Sequence, residues 1–373
     1  MLSIDKGLLG KGQLGDVVER HRRYGESVDR LDIIVFCKKG FSENKISDKV
    51  TSFPTDSANK LKYFFDGFRI GKELFRQNKY SLIVTQEPFL TGFVGYRLKK
   101  KFCSKLLIHF HGDFFSPFWL REKWHNKLFL FLAKFLARSA DGIRAVSSGI
   151  KESLVKIGVA PEKIKVIPTP INLEKFQKVD IAASEDFKIK NNLENKKLIL
   201  NVGRRDLAKD YPTLFKAISL VFEKRKDIVL ALIGSDFTEE ELKNCLPENL
   251  PKILTGRVGQ DFVNLLYHLS SLYVSSSSHE SFGKVLVEAN AAGLPVVSTA
   301  TTGTKEIIQD GYTGFLVPIG EAEALAQKVL YLLDNPEEAK KIGENGRKLV
   351  WQCFSGEANI KQIINFWQEI INN

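Results

Sequence analysis

The chain contains a single methionine, at its first position, and only four cysteines, Cys37, Cys103, Cys245 and Cys353. The cysteines lie far apart and form no Cys-x-x-Cys pair. That argues against structural zinc and a dithiol redox motif, and fits a reducing cytoplasm. Gly-x-Ser-x-Gly is missing, so no nucleophile elbow is expected; Gly-x-x-x-x-Gly-Lys-Ser/Thr is missing too, so no P-loop is expected. Long apolar runs are also lacking. The most apolar stretch, Leu128 to Ala137, is interrupted by Lys134 and is shorter than the ~20 residues that span a bilayer. Met1 leads into a short strand and then glycines, not into the basic and apolar regions of a signal peptide.

What is present is an ordinary globular composition with an excess of positive charge. Hydrophobic residues make up 43% and charged residues 27% of 373, enough for two domains with substantial cores. The net charge of +11 favours anionic partners such as nucleotide phosphates or acidic membrane, unless it is only a solubility bias. The basic residues cluster at Arg97, Lys99, Lys100, Lys101 and Lys105, and at Lys38–Lys39. Nucleic acid is not an expected partner, because no basic motif interleaves with surface aromatics.

Apolar runs of strand length alternate with helical patterns almost throughout. Strands are predicted at 2–5, 31–36, 81–85, 105–110, 142–146 and 164–167, then at 198–202, 228–233, 253–255, 272–274, 295–298 and 314–317. Helices are predicted between them, among others at 58–78, 119–139, 211–224 and 321–334. This alternation implies α/β architecture with parallel sheets buried on both faces. The pattern lapses across Asn172 to Lys197. The expectation is a doubly wound domain over 1–175, a linker over 176–196, a second doubly wound domain over 197–355, and a cleft between the two. Ile360, Ile363, Ile364, Trp367, Ile370 and Ile371 recur at helical spacing, which makes 356–373 a last helix that crosses back to the N-terminal domain.

The densest signal is the stretch from His279 through Glu280, Ser281, Phe282, Gly283, Lys284 and Glu288 to Gly293-Leu294-Pro295-Val296-Val297, preceded by the serine run Ser275–Ser278. A helix is predicted from near Phe282 to Gly293. Its N-terminus presents backbone N–H groups and partial positive charge, and Gly283 removes the Cβ that would keep a phosphate away. Glu280 and Glu288 bracket that seat, although two such acids could equally be a helix cap and a solvated helix residue.

In this order, these elements resemble glycosyltransferase family 4, whose members have the GT-B fold and a Glu-x7-Glu motif. Glu280 and Glu288 match that motif, Thr302–Val317 matches the stretch that follows it, and Val202-Gly203-Arg204 with Lys209 matches the Gly-Arg…Lys element upstream. Ala145-Val146-Ser147 and Val166-Ile167-Pro168 through Phe176 resemble the end of the family's N-terminal domain. The resemblance implies two Rossmann-like domains with the donor between them, and a retaining transfer from a nucleotide-diphosphate sugar without a metal or other cofactor. Glu288 would bind the ribose, Glu280 the donor sugar, and the backbone at Phe282, Gly283 and Lys284 the diphosphate. Arg204 and Lys209, beside Gly203, would neutralise the departing diphosphate. Arg257 and Val258 resemble the loop that contacts the base. No Asp-x-Asp metal triplet occurs; fixed cations and the helix tip would take its place.

His109 and His111 fall on one face of the strand 105–110. The resemblance points to His111 as the functional histidine and leaves His109 structural. Gly10-Lys11-Gly12-Gln13-Leu14-Gly15 matches Gly-x-Gly-x-x-Gly, the dinucleotide fingerprint, but Lys38 and Lys39 stand where an NAD enzyme needs an acid. Under the resemblance Gly12 and Gly15 would face the donor phosphate instead. Ser281 in place of a usual glycine and Pro168-Thr169-Pro170 in place of Pro-Asn-Gly depart from the family pattern.

The segment from Trp119 to Leu136, with two tryptophans and several phenylalanines among lysines, reads either as an interfacial helix on acidic membrane or as a helix buried on the N-terminal sheet. The expectation for the whole chain is a cytoplasmic enzyme, peripheral on the membrane in the first case, with a glycan or lipid-linked acceptor. The alternatives are an NAD(P)-linked oxidoreductase using Gly10–Gly15 and a non-catalytic carbohydrate- or nucleotide-binding protein of the same fold.

Overall fold

The computed structural model describes the chain except residues 11–15 and 116, and side chains except at 118 and 122. The described residues form two compact units, 1–170 with 357–373, and 171–356. The expected domain boundary at 175 therefore lies inside the second unit.

The first unit is built on an eight-stranded sheet: β1 (Leu2–Ser3), β2 (Leu31–Val35), β3 (Asn44–Ser47), β4 (Val50–Pro54), β5 (Leu82–Thr85), β6 (Lys105–Phe110), β7 (Gly142–Ala145) and β8 (Ile164–Val166). Their order is β3-β4-β2-β1-β5-β6-β7-β8, and every pairing is parallel except β3 with β4. The β3–β4 hairpin was not predicted from the sequence. Helices α1 (Val17–Glu26), α2 (Tyr63–Gln77), α3 (Leu90–Phe102), α4 (Pro117–Glu122), α5 (Asn126–Ser139) and α6 (Ser148–Lys156) connect the strands. The single helix expected over 119–139 is two. The Asn126 side chain turns back to donate to the Trp119 carbonyl at 2.6 Å, which closes the break.

The second unit holds a six-stranded, all-parallel sheet of β9 (Lys197–Val202), β10 (Ile228–Ile233), β11 (Lys252–Thr255), β12 (Leu272–Ser275), β13 (Val296–Thr299) and β14 (Phe315–Val317), in the order β11-β10-β9-β12-β13-β14. All six residues of β10 are buried, as a strand covered on both faces requires. The helices are α7 (Ile181–Lys190), α8 (Tyr211–Lys224), α9 (Glu239–Leu242), α10 (Gln260–Leu269), α11 (Lys284–Ala291), α12 (Thr304–Ile307), α13 (Ala322–Asp334) and α14 (Pro336–Cys353). The stretch expected as a linker thus contains α7, which packs on α10 through Phe187 and Phe262, ring centroids 5.6 Å apart.

The last helix, α15 (Gly356–Asn372), belongs to the first unit. Ile363, Ile364, Phe366, Trp367 and Ile370 are buried in one cluster with Leu8, Tyr24, Ile33 and Val84. No helix among the described residues is long and apolar enough to cross a membrane.

Candidate active site

In a doubly wound sheet the loops diverge where the strand order reverses, and a ligand seat opens at the carboxyl ends of the strands there. In the second unit that point lies between β9 and β12, because the chain runs from β9 outward to β10 and β11 and then returns to β12 on the other side. The loops after these two strands carry Lys209 and Glu280. They meet there: Lys209 Nζ donates to Glu280 Oε2 at 2.7 Å, with the two side chains 23% and 22% exposed.

The local chemistry of each loop explains the meeting. After β9, Asp206 accepts a hydrogen bond from the Ala208 N–H at 3.0 Å and starts a short turn over Leu207–Lys209. Asp210 follows in the left-handed conformation, φ 45°, and its carboxylate accepts from the Thr213 hydroxyl at 2.7 Å to begin α8. Two aspartates therefore fix the backbone on both sides of Lys209. The serine run fixes it from the facing loop. Ser276 Oγ donates to the carbonyls of Lys209 and Asp210 at 2.8 and 2.9 Å, and the Ser278 N–H donates to the Ala208 carbonyl at 2.8 Å. The Thr299 hydroxyl donates to the Ser277 carbonyl at 2.5 Å. Asp206, Asp210, Ser276 and Ser278 were not singled out as site residues from the sequence; the serine run was the one visible trace of them.

The turn after Glu280 is shaped by two glycines. Gly283 takes φ +88° immediately before Lys284 opens α11, so the helix begins two residues later than Phe282. Its missing Cβ would lie 3.4 Å from Glu280 Cγ, which puts the helix tip beside the carboxylate. Gly303, in the loop after β13, donates its N–H to the Glu280 carbonyl at 2.9 Å. A Cβ on Gly303 would meet the Phe282 nitrogen and the Glu280 oxygen at 2.6 and 2.7 Å, closer than real atoms approach.

The other predicted residues of this unit take distinct places. Phe282 turns its ring into the core against Phe354, centroids 5.8 Å apart, so only its backbone faces the seat. Glu288 is buried on α11, where the Tyr267 hydroxyl donates to Oε2 at 3.1 Å and Lys284 Nζ lies 3.4 Å from Oε1. Burial, followed by the Glu288 charge, raises the Tyr267 pKa well above its ordinary value, so Tyr267 stays a donor. Gly203 lies under Lys209, its position for a Cβ 3.4 Å from Lys209 Cε. The Tyr211 hydroxyl, its pKa pushed up by burial to about 12, donates to the Gly203 carbonyl at 3.1 Å. Arg204 is exposed and has no ion-pair partner among the described residues. Arg257 and Val258 follow β11, two strands from β9, roughly 10 Å across the sheet at ~4.8 Å per strand.

In the first unit His111 follows β6, and its Nε2 lies 2.8 Å from Gln86 Oε1. Its ring meets that of the buried His109 edge-on, centroids 5.6 Å apart. His109 Nδ1 in turn lies 3.4 Å from Nη1 of the buried Arg144, which also donates to the carbonyls of Ile167 and Pro168. Gly12 and Gly15 lie outside the described residues.

Two Rossmann-like units, one with a lysine–carboxylate pair beside a helix tip at its switch point, are the architecture of a GT-B glycosyltransferase. Sequence models agree for both halves: that of Glycosyltransferase Family 4 matches residues 25–175, and that of Glycosyl transferases group 1 matches 183–349. The chain belongs to the family 4, group 1 glycosyltransferases. It is 25% identical over 339 residues to an uncharacterized glycosyltransferase of Methanocaldococcus jannaschii, covering 87% of this chain and 82% of that one. It is 30% identical over 241 residues to the capsular polysaccharide biosynthesis glycosyltransferase CapM of Staphylococcus aureus, covering 62% and 60%. Among solved structures, sucrose-phosphate synthase of Thermosynechococcus elongatus has the same fold, with TM-score 0.83 at 22% identity over 100% of this chain and 98% of that one. Anabaena HepE in complex with UDP and glucose has it too, with TM-score 0.79 at 20% identity over 98% of each. These matches disfavour the NAD(P)-linked oxidoreductase reading of Gly10–Gly15.

Proposed function

We propose that this glycosyltransferase moves a sugar from a nucleoside-diphosphate sugar to a glycan or lipid-linked acceptor, with retention of configuration and without a metal ion. The observation that carries the reading is the 2.7 Å contact of Lys209 and Glu280 beside Gly283 at the switch point. A HepE structure of the same fold contains UDP and glucose, which supports a donor of this class.

In this reading the diphosphate sits on the tip of α11 at Gly283 and Lys284, with Lys209 and Arg204 as its cations. The bond between the anomeric carbon and the phosphate oxygen breaks, and its electron pair stays on that oxygen. Positive charge fixed in advance at Lys209 stabilises the charge that develops there, the task a metal would otherwise perform. The acceptor hydroxyl bonds to the anomeric carbon from the same face, and its proton passes to the departing phosphate. Glu280 binds the donor sugar, Glu288 the ribose, and Arg257 and Val258 the base. The non-catalytic alternative is separated by turnover. Glu280→Ala is expected to lower transfer, or donor hydrolysis, at least ~100-fold while changing nucleotide affinity only severalfold. Equal turnover in the variant removes Glu280 from the mechanism.

A further inference from the structure

Helix α5 has two apolar faces, and only one is covered. Ala133, Leu136 and Ala137 are buried in the first unit. Leu128, Phe131 and Phe135 are 70%, 74% and 43% exposed. At ~100° per residue these three fall within an arc of about 60°, so they form one stripe and not scattered surface positions. Trp124, in the break before the helix, is 86% exposed. A folded surface rarely leaves four large apolar groups so close along the chain in water without a partner for them.

The charges around the stripe indicate the partner. Neither α3 nor α5 contains an acidic residue. On the same helical projection Lys127 and Lys134 flank the stripe on one side, within about 60° of it. Helix α3 packs beside α5 through Tyr96 and Phe135, ring centroids 5.1 Å apart. The last turns of α3 carry Arg97, Lys100 and Lys101, all exposed, and Lys100 lies over the Tyr96 ring at 5.8 Å. A second copy of this chain would bring the same cations face to face. A bilayer with acidic headgroups matches both features: its acyl boundary takes the aromatic stripe and its phosphates take the lysines.

We propose that the α3–α5 face of the first unit is a docking surface for an anionic lipid bilayer, with α5 lying in the headgroup plane and Trp124 and Phe131 reaching past it. The surface goes beyond the transfer reading and stands without it, since it shares no residue with the candidate active site.

The test is co-sedimentation of the full chain at low salt with vesicles of phosphatidylcholine alone and of phosphatidylcholine mixed with phosphatidylglycerol. Binding is expected only to the mixed vesicles, to weaken with added salt, and to shift the tryptophan emission to the blue; Trp124→Phe abolishes most of that shift. Leu128→Ser/Phe131→Ser and Lys100→Glu/Lys101→Glu are each expected to weaken binding about tenfold or more. Because these side chains are exposed, the variants keep the wild-type melting temperature. UDP titration on the same samples reports the active site separately. Failure of the wild type to bind the mixed vesicles, equal binding to both vesicle types, or undiminished binding by the two double variants overturns the proposal. So does a wild-type dimer in light scattering that Leu128→Ser/Phe131→Ser converts to monomer, because the stripe then belongs to a second copy.

Discussion

Lys209 and Glu280 are 71 residues apart in the chain and 2.7 Å apart in space. Nothing in their spacing announces the contact; strand order and the serine clamp create it. The sequence showed the acids, the glycines and the cations as separate marks, and only the family resemblance put them in one site. Gly303 illustrates what spacing hides, since its necessity lies in backbone atoms of a different loop. Gly303→Ala is expected to destabilise the fold by about 1–3 kcal/mol, because the added methyl must displace backbone. The same variant should lower transfer activity by tilting Glu280; urea denaturation and turnover on one preparation read both effects. Glu288→Gln keeps the shape of a buried carboxylate but removes its charge, and should weaken nucleotide affinity about tenfold. Calorimetric titration checks this, and unchanged affinity would take Glu288 out of the ribose contact.

Among the elements, the buried central strands were the most legible. The runs 105–110 and 228–233 are near-continuous apolar segments, and the structure gives them those bounds. The β3–β4 hairpin escaped because both strands are short and broken by polar residues, β3 is the edge strand, and β4 ends in a proline. Helix α7 escaped because Ile181 and Ile189 are exposed, so no apolar face repeats at 3.6 residues. Element packing also sets a pH response. Helix α1 buries His21, and β6 buries His109; the Nε2 atoms of both have no partner among the described residues. Burial lowers the His21 pKa to about 3 and holds that of His109 well below 6.5. Between those values and the ordinary 6.5, the unfolded chain binds protons that the folded chain refuses. Stability is therefore full above about pH 6.5 and falls as the pH drops toward 3, by up to about 1.4 kcal/mol per pH unit for each histidine. Melting temperatures from pH 7 to pH 4.5 should decline, less steeply in His21→Gln. A flat profile would mean that the histidines are not held neutral.

Across the whole molecule, the chain closes its first unit with its last helix. Removing residues 357–373 uncovers Leu8, Tyr24, Ile33 and Val84, which share a core with Ile363, Phe366 and Trp367. The truncated chain is expected to lose the cooperative melting of the first unit and to aggregate, as scanning calorimetry and light scattering would register. The second unit has its own core around Ile218, Leu230 and Val329 and should keep a separate transition. That core carries the phosphate seat on which the functional reading depends. The most direct test of the seat is titration calorimetry of the full chain with a nucleoside diphosphate and the matching monophosphate, repeated in Lys209→Met. If Lys209 and the tip of α11 hold the second phosphate, the wild type prefers the diphosphate by about tenfold or more and the variant loses most of that preference. The same diphosphate-to-monophosphate ratio in both proteins would place the pyrophosphate elsewhere and contradict the account.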